Sequence, residues 1–280
     1  MHTLTIGKIE YLNVWPMFQL LETESGNEMA YELVTGHPSF LNHCLAQGTI
    51  HVSPSSAFEY LIHAKQYQIL PGLSISSDGP VQSVLLVSPV DLNDLPDFLA
   101  CHGNQIHVTG ASATSVGLLK ILWHLAWRFA EPQWQVVEPG EGLSKGLPFL
   151  EIGDRALALH AAPPQGWHCI DLGQVWKAWT GLPFVFALWI VRNDLDPDQQ
   201  VMLRILADRL YRIKKAVPDN LERLLDQAGD KGFSRNVLRD YWQVMSYELG
   251  DKEQASLALY AHYCTRIGLL PGCPALHWFT

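Results

Sequence analysis

The chain has 280 residues, 48% hydrophobic and 17% charged, enough apolar material for one large domain or two of ordinary size and too much for disorder. Its formal net charge of −9 argues against nucleic acid as a partner, because that binding needs clustered Lys and Arg. An acidic protein that holds a small anion must rely on helix N-termini and backbone N–H groups instead of a positive field.

Residues 3–11 read as a buried strand. The start of the chain has no charged region followed by an apolar run, so it reads as that strand and not as a signal peptide. Leu12 and Asn13 leave the strand, and Pro16 suits the first turn of a helix through Leu21. Asn13 therefore stands where a strand gives way to a helix, the edge at which parallel α/β sheets bind ligands. Capping the helix and bonding a ligand both fit it.

Leu33–Val34 is a short strand, and Pro38 opens a helix that Gly48 stops. Residues 50–52 form another strand. Ser53 then has the character of an N-cap with Pro54 at the first helical position, which puts Ser55 and Ser56 in a first turn with unpaired N–H groups. That arrangement suits a carboxylate cradle, although capping explains Ser53 equally well.

Residues 72–88, GLSISSDGPVQSVLLVS, read as a small-residue polar loop, a Gly79-Pro80 turn and a core strand. Ser76, Ser77 and Ser83 bring hydroxyls to it. A Ser on a mostly apolar strand needs a partner, which a capped turn or a ligand supplies. Residues 89–98 are polar and turn-rich, and the crossing to a second lobe is expected there.

Residues 105–109 form a strand. Gly110 to Ser115 then make a small-residue loop at the start of a helix to Phe129. The loop has the chemistry of an anion site, carried by Gly110, Thr114 and Ser115, without the Walker spacing or a G-x-G-x-x-G. A tight strand–helix turn explains it as well. A strand spans 134–138 and a loop 139–146. Gly153 and Asp154 precede residues 156–160, which read as a buried strand; Gly153 admits a close approach, and Asp154 either orients a ligand hydroxyl or pairs with Arg155.

A short helix covers 174–179. Residues 184–191 are almost wholly apolar, as in a strand buried on both faces, and form the return crossing. The remainder reads as helices over 197–217, 221–228, 234–249 and 251–267, scaffold without chemistry. The fold class is therefore α/β: a two-lobe clamp with a helical C-terminal run. Lobe I is discontinuous, residues 1–88 plus 186–280, and lobe II is 89–185. Such a clamp closes over a small molecule and excludes water.

Five cysteines, Cys44, Cys101, Cys169, Cys264 and Cys273, are widely spaced without a C-x-x-C and read as reduced thiols of a cytoplasmic protein. Twelve histidines include no metal-ligand spacing, so no metal is expected. No run approaches transmembrane length, and membrane insertion is not expected.

Several segments in order resemble one family: Tyr11-Leu12-Asn13, residues 71–86, Ser112 to Ser115, Ile152-Gly153-Asp154, and residues 179–184 (WTGLPF). They are similar to the chorismate dehydratases of the futalosine-type menaquinone pathway. The resemblance spans most of the chain through Val191. It implies the periplasmic-binding-protein type II fold, used in the cytoplasm by a lyase that takes no cofactor. The chain departs from the family pattern at residues 51–54 and at Val14-Trp15, where Trp15 would narrow the cleft.

The implied reaction removes water from chorismate to give 3-[(1-carboxyvinyl)oxy]benzoate. Read onto this chain, the resemblance makes Asn13 and Ser83 the catalytic candidates. Ser55, Ser56, Ser76, Gly110, Thr114, Ser115, Gly153 and Asp154 are then the substrate-binding candidates. The motifs hold no obvious base. The substrate's own enolpyruvyl carboxylate fills that role in one version, and Asp78 or Asp154 in the other. Two alternatives stand beside it: a 1,4-dihydroxy-6-naphthoate synthase-like enzyme of the same pathway, and a cytosolic small-anion binding or sensor protein.

Overall fold

The computed structural model describes residues 3–24, 31–229 and 231–280. Met1 and His2 lie outside the described residues. In chain order the first elements are β1 (Leu4–Ile9), α1 (Trp15–Glu24), β2 (Tyr31–Gly36), α2 (Pro38–Gln47), β3 (Val52–Ser56), α3 (Ala57–Ile62) and β4 (Tyr67–Ser77). The middle of the chain forms β5 (Val84–Ser88), α4 (Leu95–Cys101), β6 (Gln105–Thr109), α5 (Ala113–Ile121), β7 (Gln133–Val137), α6 (Gly142–Lys145), β8 (Phe149–Ile152), α7 (Gly153–Ala161), β9 (His168–Asp171) and α8 (Leu172–Thr180). The chain closes with β10 (Phe184–Arg192), α9 (Pro197–Ala216), α10 (Leu221–Ala228), α11 (Arg235–Val244), β11 (Met245–Ser246) and α12 (Asp251–Arg266).

The strands make two sheets, one per lobe. The first has the order β11-β4-β10-β3-β1-β2 and the second β7-β6-β8-β5-β9. In the first, β1 runs parallel to β2 and β3, while β10 lies antiparallel between β3 and β4. Eight of the nine residues of β10 are buried, as its apolar sequence requires of a central strand. In the second sheet β6 runs parallel to β7 and β8, and β5 lies antiparallel between β8 and β9. The α/β clamp expected from the sequence is the fold observed.

Four local expectations are corrected. First, β5 belongs to the second sheet, so the chain leaves the first sheet at residues 78–83 and not at 89–98; β10 is back in the first sheet from Phe184. Second, the stretch 72–77 is strand, not loop. Its small residues make a poor strand in isolation, but β10 pairs with Ser74 to Ser77, and Met245 and Ser246 flank Ser77 and Ser76 on the other side. Third, residues 156–160 are helical. Gly153 turns the chain at φ +63°, and Ala-Leu-Ala-Leu is good helix material that periodicity alone does not separate from a short strand.

The fourth correction concerns Ser53, Ser55 and Ser56. Ser53 is not an N-cap: it sits inside β3, paired across to Ile190 of β10. Ser55 is also a strand residue, opposite Leu188. Only Ser56 stands at the start of α3. The Ser-Pro pair imitates a helix start, but the β10 pairing decides the backbone. Two smaller differences complete the picture. The helix expected to reach Phe129 passes through a π-helical turn at Leu122–Ala126 and ends there, and the helix expected over 234–249 stops at Val244 to let β11 join β4.

Candidate active site

Four helices begin along the wall of one hollow between the lobes. Asn13 lies two residues before α1, Ser56 precedes α3, Ser112 caps α5, and Gly153 starts α7; all four residues line the hollow. First-turn N–H groups have no partner inside their own helix, so these ends carry partial positive charge. The hollow takes in about 630 Å3 of space, the solvent at its mouth included. Its apolar wall is made by Ile9, Ile75, Val81, Ile152, Phe186 and Met245. Tyr11 is the one titratable side chain lining it among the described residues. Burial, then the charges of Asp154 and Glu151, hold the Tyr11 phenol above its ordinary pKa, so it stays protonated.

Of the candidates read from the sequence, Asn13, Ser56, Ser83, Ser115 and Gly153 line this hollow. Asn13 Oδ1 is buried with no hydrogen-bond partner in the protein. A buried amide oxygen left open costs free energy unless a ligand or water fills it. Ser83 ends the crossing segment. Asp171, which the sequence reading did not single out, holds that segment by accepting from the N–H groups of Val81 (3.0 Å) and Gln82 (2.6 Å). Gln82 is thereby kept at φ +61°, in the left-handed region that a non-glycine residue rarely enters. The Gly153 N–H then donates to the Ser83 carbonyl at 2.8 Å, which joins the two loops. Gly153 has φ +63°, and a side chain there would be strained.

The other candidates fall elsewhere. Thr114 is buried and bridges the lobes: its hydroxyl lies 2.7 Å from Ser56 Oγ and accepts from the Phe58 N–H at 3.0 Å. It caps the start of α3 from the opposite lobe instead of facing the hollow. Ser55 is fully buried and, by the alternation of β3, points away from Ser56; its hydroxyl has no partner but does not line the hollow. Ser76 directs its hydroxyl to the carbonyls of Ser246 and Glu248. Gly110 and Asp154 line a second, larger hollow of about 1410 Å3, here the outer one, that shares Tyr11, Pro38, Ala111 and Ile152 with the first, inner one. Arg155 and Glu138 also face it.

Asp154 accepts from the Leu12 N–H at 3.1 Å, which steadies the loop carrying Asn13. Burial raises its pKa, opposed by that hydrogen bond and by the charge of Lys231. Asp78 is half a surface ion pair with Lys177, away from both hollows. Trp15 does not narrow the cleft. It stacks on Trp242 at 5.2 Å between ring centres, and Lys231 lies over its ring.

The C-terminal run, expected to be scaffold, reaches the site. Tyr241 donates to Ser83 Oγ (2.9 Å), Trp242 Nε1–H to the Leu12 carbonyl (2.9 Å) and Tyr247 to the Asn13 carbonyl (2.8 Å). Beyond β11, Glu248 pairs with the buried ammonium of Lys214, which also donates to the Gly72 carbonyl at 2.6 Å. That pair fastens the segment to β4. No group of His, Cys, Asp and Glu suited to a metal ion occurs among the described residues, and all five cysteines are free.

A family model described as menaquinone biosynthesis matches residues 4–266. A chorismate dehydratase of Thermus thermophilus is 29% identical over 279 residues, covering 93% of this chain and 95% of that protein. A chorismate dehydratase of Campylobacter jejuni is 25% identical over 270 residues, covering 95% of this chain and all of that protein. Among solved structures, a protein of Archaeoglobus fulgidus superposes with a TM-score of 0.76 at 18% identity, over 96% of this chain and 99% of that one. The periplasmic aliphatic sulphonate binding protein SsuA of Escherichia coli gives 0.68 at 12% identity, over 98% and 90%. The last two show the fold alone, that of the periplasmic binding proteins.

Proposed function

The chain belongs to the menaquinone biosynthesis family, and we propose that it is a chorismate dehydratase, eliminating water from chorismate to give 3-[(1-carboxyvinyl)oxy]benzoate. Relatives of that name match it along nearly its whole length. The observation in the site that carries the reading is the buried, unpartnered Asn13 Oδ1 in a hollow lined by no charged side chain.

The reaction removes the hydrogen on C3 and the hydroxyl on C4. The C3–H electron pair becomes the new ring double bond as the C4–O bond breaks, and the proton and hydroxide leave together as water. The C3 proton is acidified because its carbanion delocalises through the diene into the ring carboxylate. The protein must orient two carboxylates, stabilise growing charge and help hydroxide depart. Helix starts at Ser56, Ser112 and Gly153 supply dipoles and hydroxyls for the carboxylates, with Ser115 beside them. Asn13 Oδ1 accepts a hydrogen bond from the C4 hydroxyl, whose O–H bond stays intact, and Ser83 donates a hydrogen bond to its oxygen.

No carboxylate or imidazole lines the inner hollow among the described residues, which supports the version in which the substrate's enolpyruvyl carboxylate takes the C3 proton. Asp154 then steadies the Asn13 loop, and Gly110 and Arg155 border the way in. We take the two sheets as the halves of a clamp, the first lobe with the C-terminal run and the second built on residues 84–180, closing on substrate. The reading also includes a cytoplasmic setting and a small-molecule substrate, with no nucleic acid and no membrane insertion. No helix among the described residues is long and apolar enough to cross a membrane.

Incubating the purified protein with chorismate tests this. A new aromatic absorbance and a product lighter by one water are expected. Tight binding of chorismate without conversion would favour a sensor, and no binding at all would reject the reading.

A further inference from the structure

We propose that Tyr241 is a positioning residue that commits the Ser83 hydroxyl to donate into the inner hollow. The inference rests on the dehydratase reading and adds a residue from the C-terminal run to it. Tyr241 lies on α11, 1% exposed, and its hydroxyl donates to Ser83 Oγ at 2.9 Å. A buried phenol proton must reach an acceptor, and here the acceptor is the serine. One lone pair of Ser83 Oγ is thereby filled.

The serine's own proton has one acceptor in the protein, the Val81 carbonyl, at 3.3 Å. That is beyond the usual range for an O–H···O bond, so giving it up costs little. Ser83 lines the hollow, while Tyr241 stands behind it and does not. A ligand oxygen gaining negative charge, as the departing C4 hydroxyl does, is a better acceptor than the distant carbonyl. The phenol behind polarises the serine in the same direction, Tyr O–H to Ser O–H to leaving oxygen. No proton need leave Tyr241: it holds a donor in place, and water forms from the C3 proton and the departing hydroxide. Burial keeps the phenol far above its ordinary pKa, so it remains a donor across the working pH range.

The geometry also separates this role from packing. Removing the hydroxyl with Tyr241→Phe keeps the ring in its cavity. The serine proton is then free to settle elsewhere, and Oγ regains an open lone pair. The loss should fall on kcat with KM little changed, because the bond to the leaving oxygen strengthens as charge develops.

The test is a cycle of four proteins assayed with chorismate: wild type, Y241F, S83A and the double variant. S83A is expected to lose about 10²–10³-fold in kcat, as for removal of one donor to developing charge. Y241F is expected to lose about tenfold or more in the wild-type background and almost nothing in the S83A background. Equal losses in both backgrounds, the mark of a loosened core, would overturn the inference, as would an unchanged kcat in Y241F. The cycle decides even if Phe lowers the melting temperature, since that defect acts with or without the serine. Wild-type protein that leaves chorismate untouched would overturn the dehydratase reading and this inference with it; turnover with additive losses would overturn this inference alone.

Discussion

Ser56 Oγ and Thr114 Oγ1 lie 2.7 Å apart, one at the end of β3 in the first lobe and the other in the first turn of α5 in the second. The same threonine oxygen accepts from the Phe58 N–H, and Tyr260 of α12 donates to the Thr114 carbonyl at 3.1 Å. Thr114 thus ties three elements together behind the hollow. Thr114→Val keeps the shape and leaves the part-buried Phe58 N–H without its acceptor. The expected cost is about 1–3 kcal/mol of stability, read from denaturant unfolding, with a smaller change in substrate affinity.

Asn13 should matter to turnover more than to folding. Its carboxamide oxygen has no protein partner, so Asn13→Leu removes an interaction that only a ligand completes. A fall in kcat of about 10²–10³-fold is expected, with an unfolding midpoint close to that of the wild type. Unchanged kcat would remove Asn13 from the chemistry.

Asp154 separates the two versions of the base. Asp154→Asn keeps an oxygen for the Leu12 N–H, so turnover should stay within about an order of magnitude, whereas Asp154→Ala frees the loop and loses more. A loss beyond about 10²-fold in Asp154→Asn would make the carboxylate the base and end the substrate-assisted version.

His51 gives a pH dependence with a defined sign. Its Nδ1 accepts from the Thr5 N–H at 2.9 Å, so that nitrogen is unprotonated in the fold. Burial, helped by the Arg192 charge and opposed by Asp196 and Asp194, lowers its pKa from the ordinary value. The folded state therefore binds fewer protons than the unfolded one. This contribution is complete above the unfolded value of about 6.5 and is lost as pH falls through it toward the lower folded value. Melting temperatures across pH 5–8 should fall on the acid side, and His51→Gln should flatten that limb; buried His107, shifted in the same direction, will keep part of it.

The site was legible in the sequence where chain direction changes. Asn13, Ser83, Ser112 to Ser115 and Gly153 all stand where strands end or helices begin, and local residue types mark such places. The misread places are those where distant pairing decides. Ser53 and Pro54 carry a helix-start signature that β10 overrides, and residues 72–77 become strand because β10 and β11 enclose them. Thr114 looks like a ligand contact from its loop and is instead spent on the other lobe. Tyr241, Trp242 and Tyr247 look like scaffold in the sequence because their partners lie 158, 230 and 234 residues away. Nothing local in a helix announces a contact at that separation. The polar turn residues at 89–98 look more like a boundary than 78–83, where the chain in fact crosses between the sheets.

The central claim is that an uncharged inner hollow, walled by helix starts and hydroxyls, holds the dianion and strips water from it. A crystal structure with 3-[(1-carboxyvinyl)oxy]benzoate bound tests it most directly. The account predicts the aromatic ring in the inner hollow, C4 facing Asn13 and Ser83, and the carboxylates at the starts of α3, α5 and α7. Product seated in the outer hollow against Arg155, with Asn13 and Ser83 untouched, would contradict it.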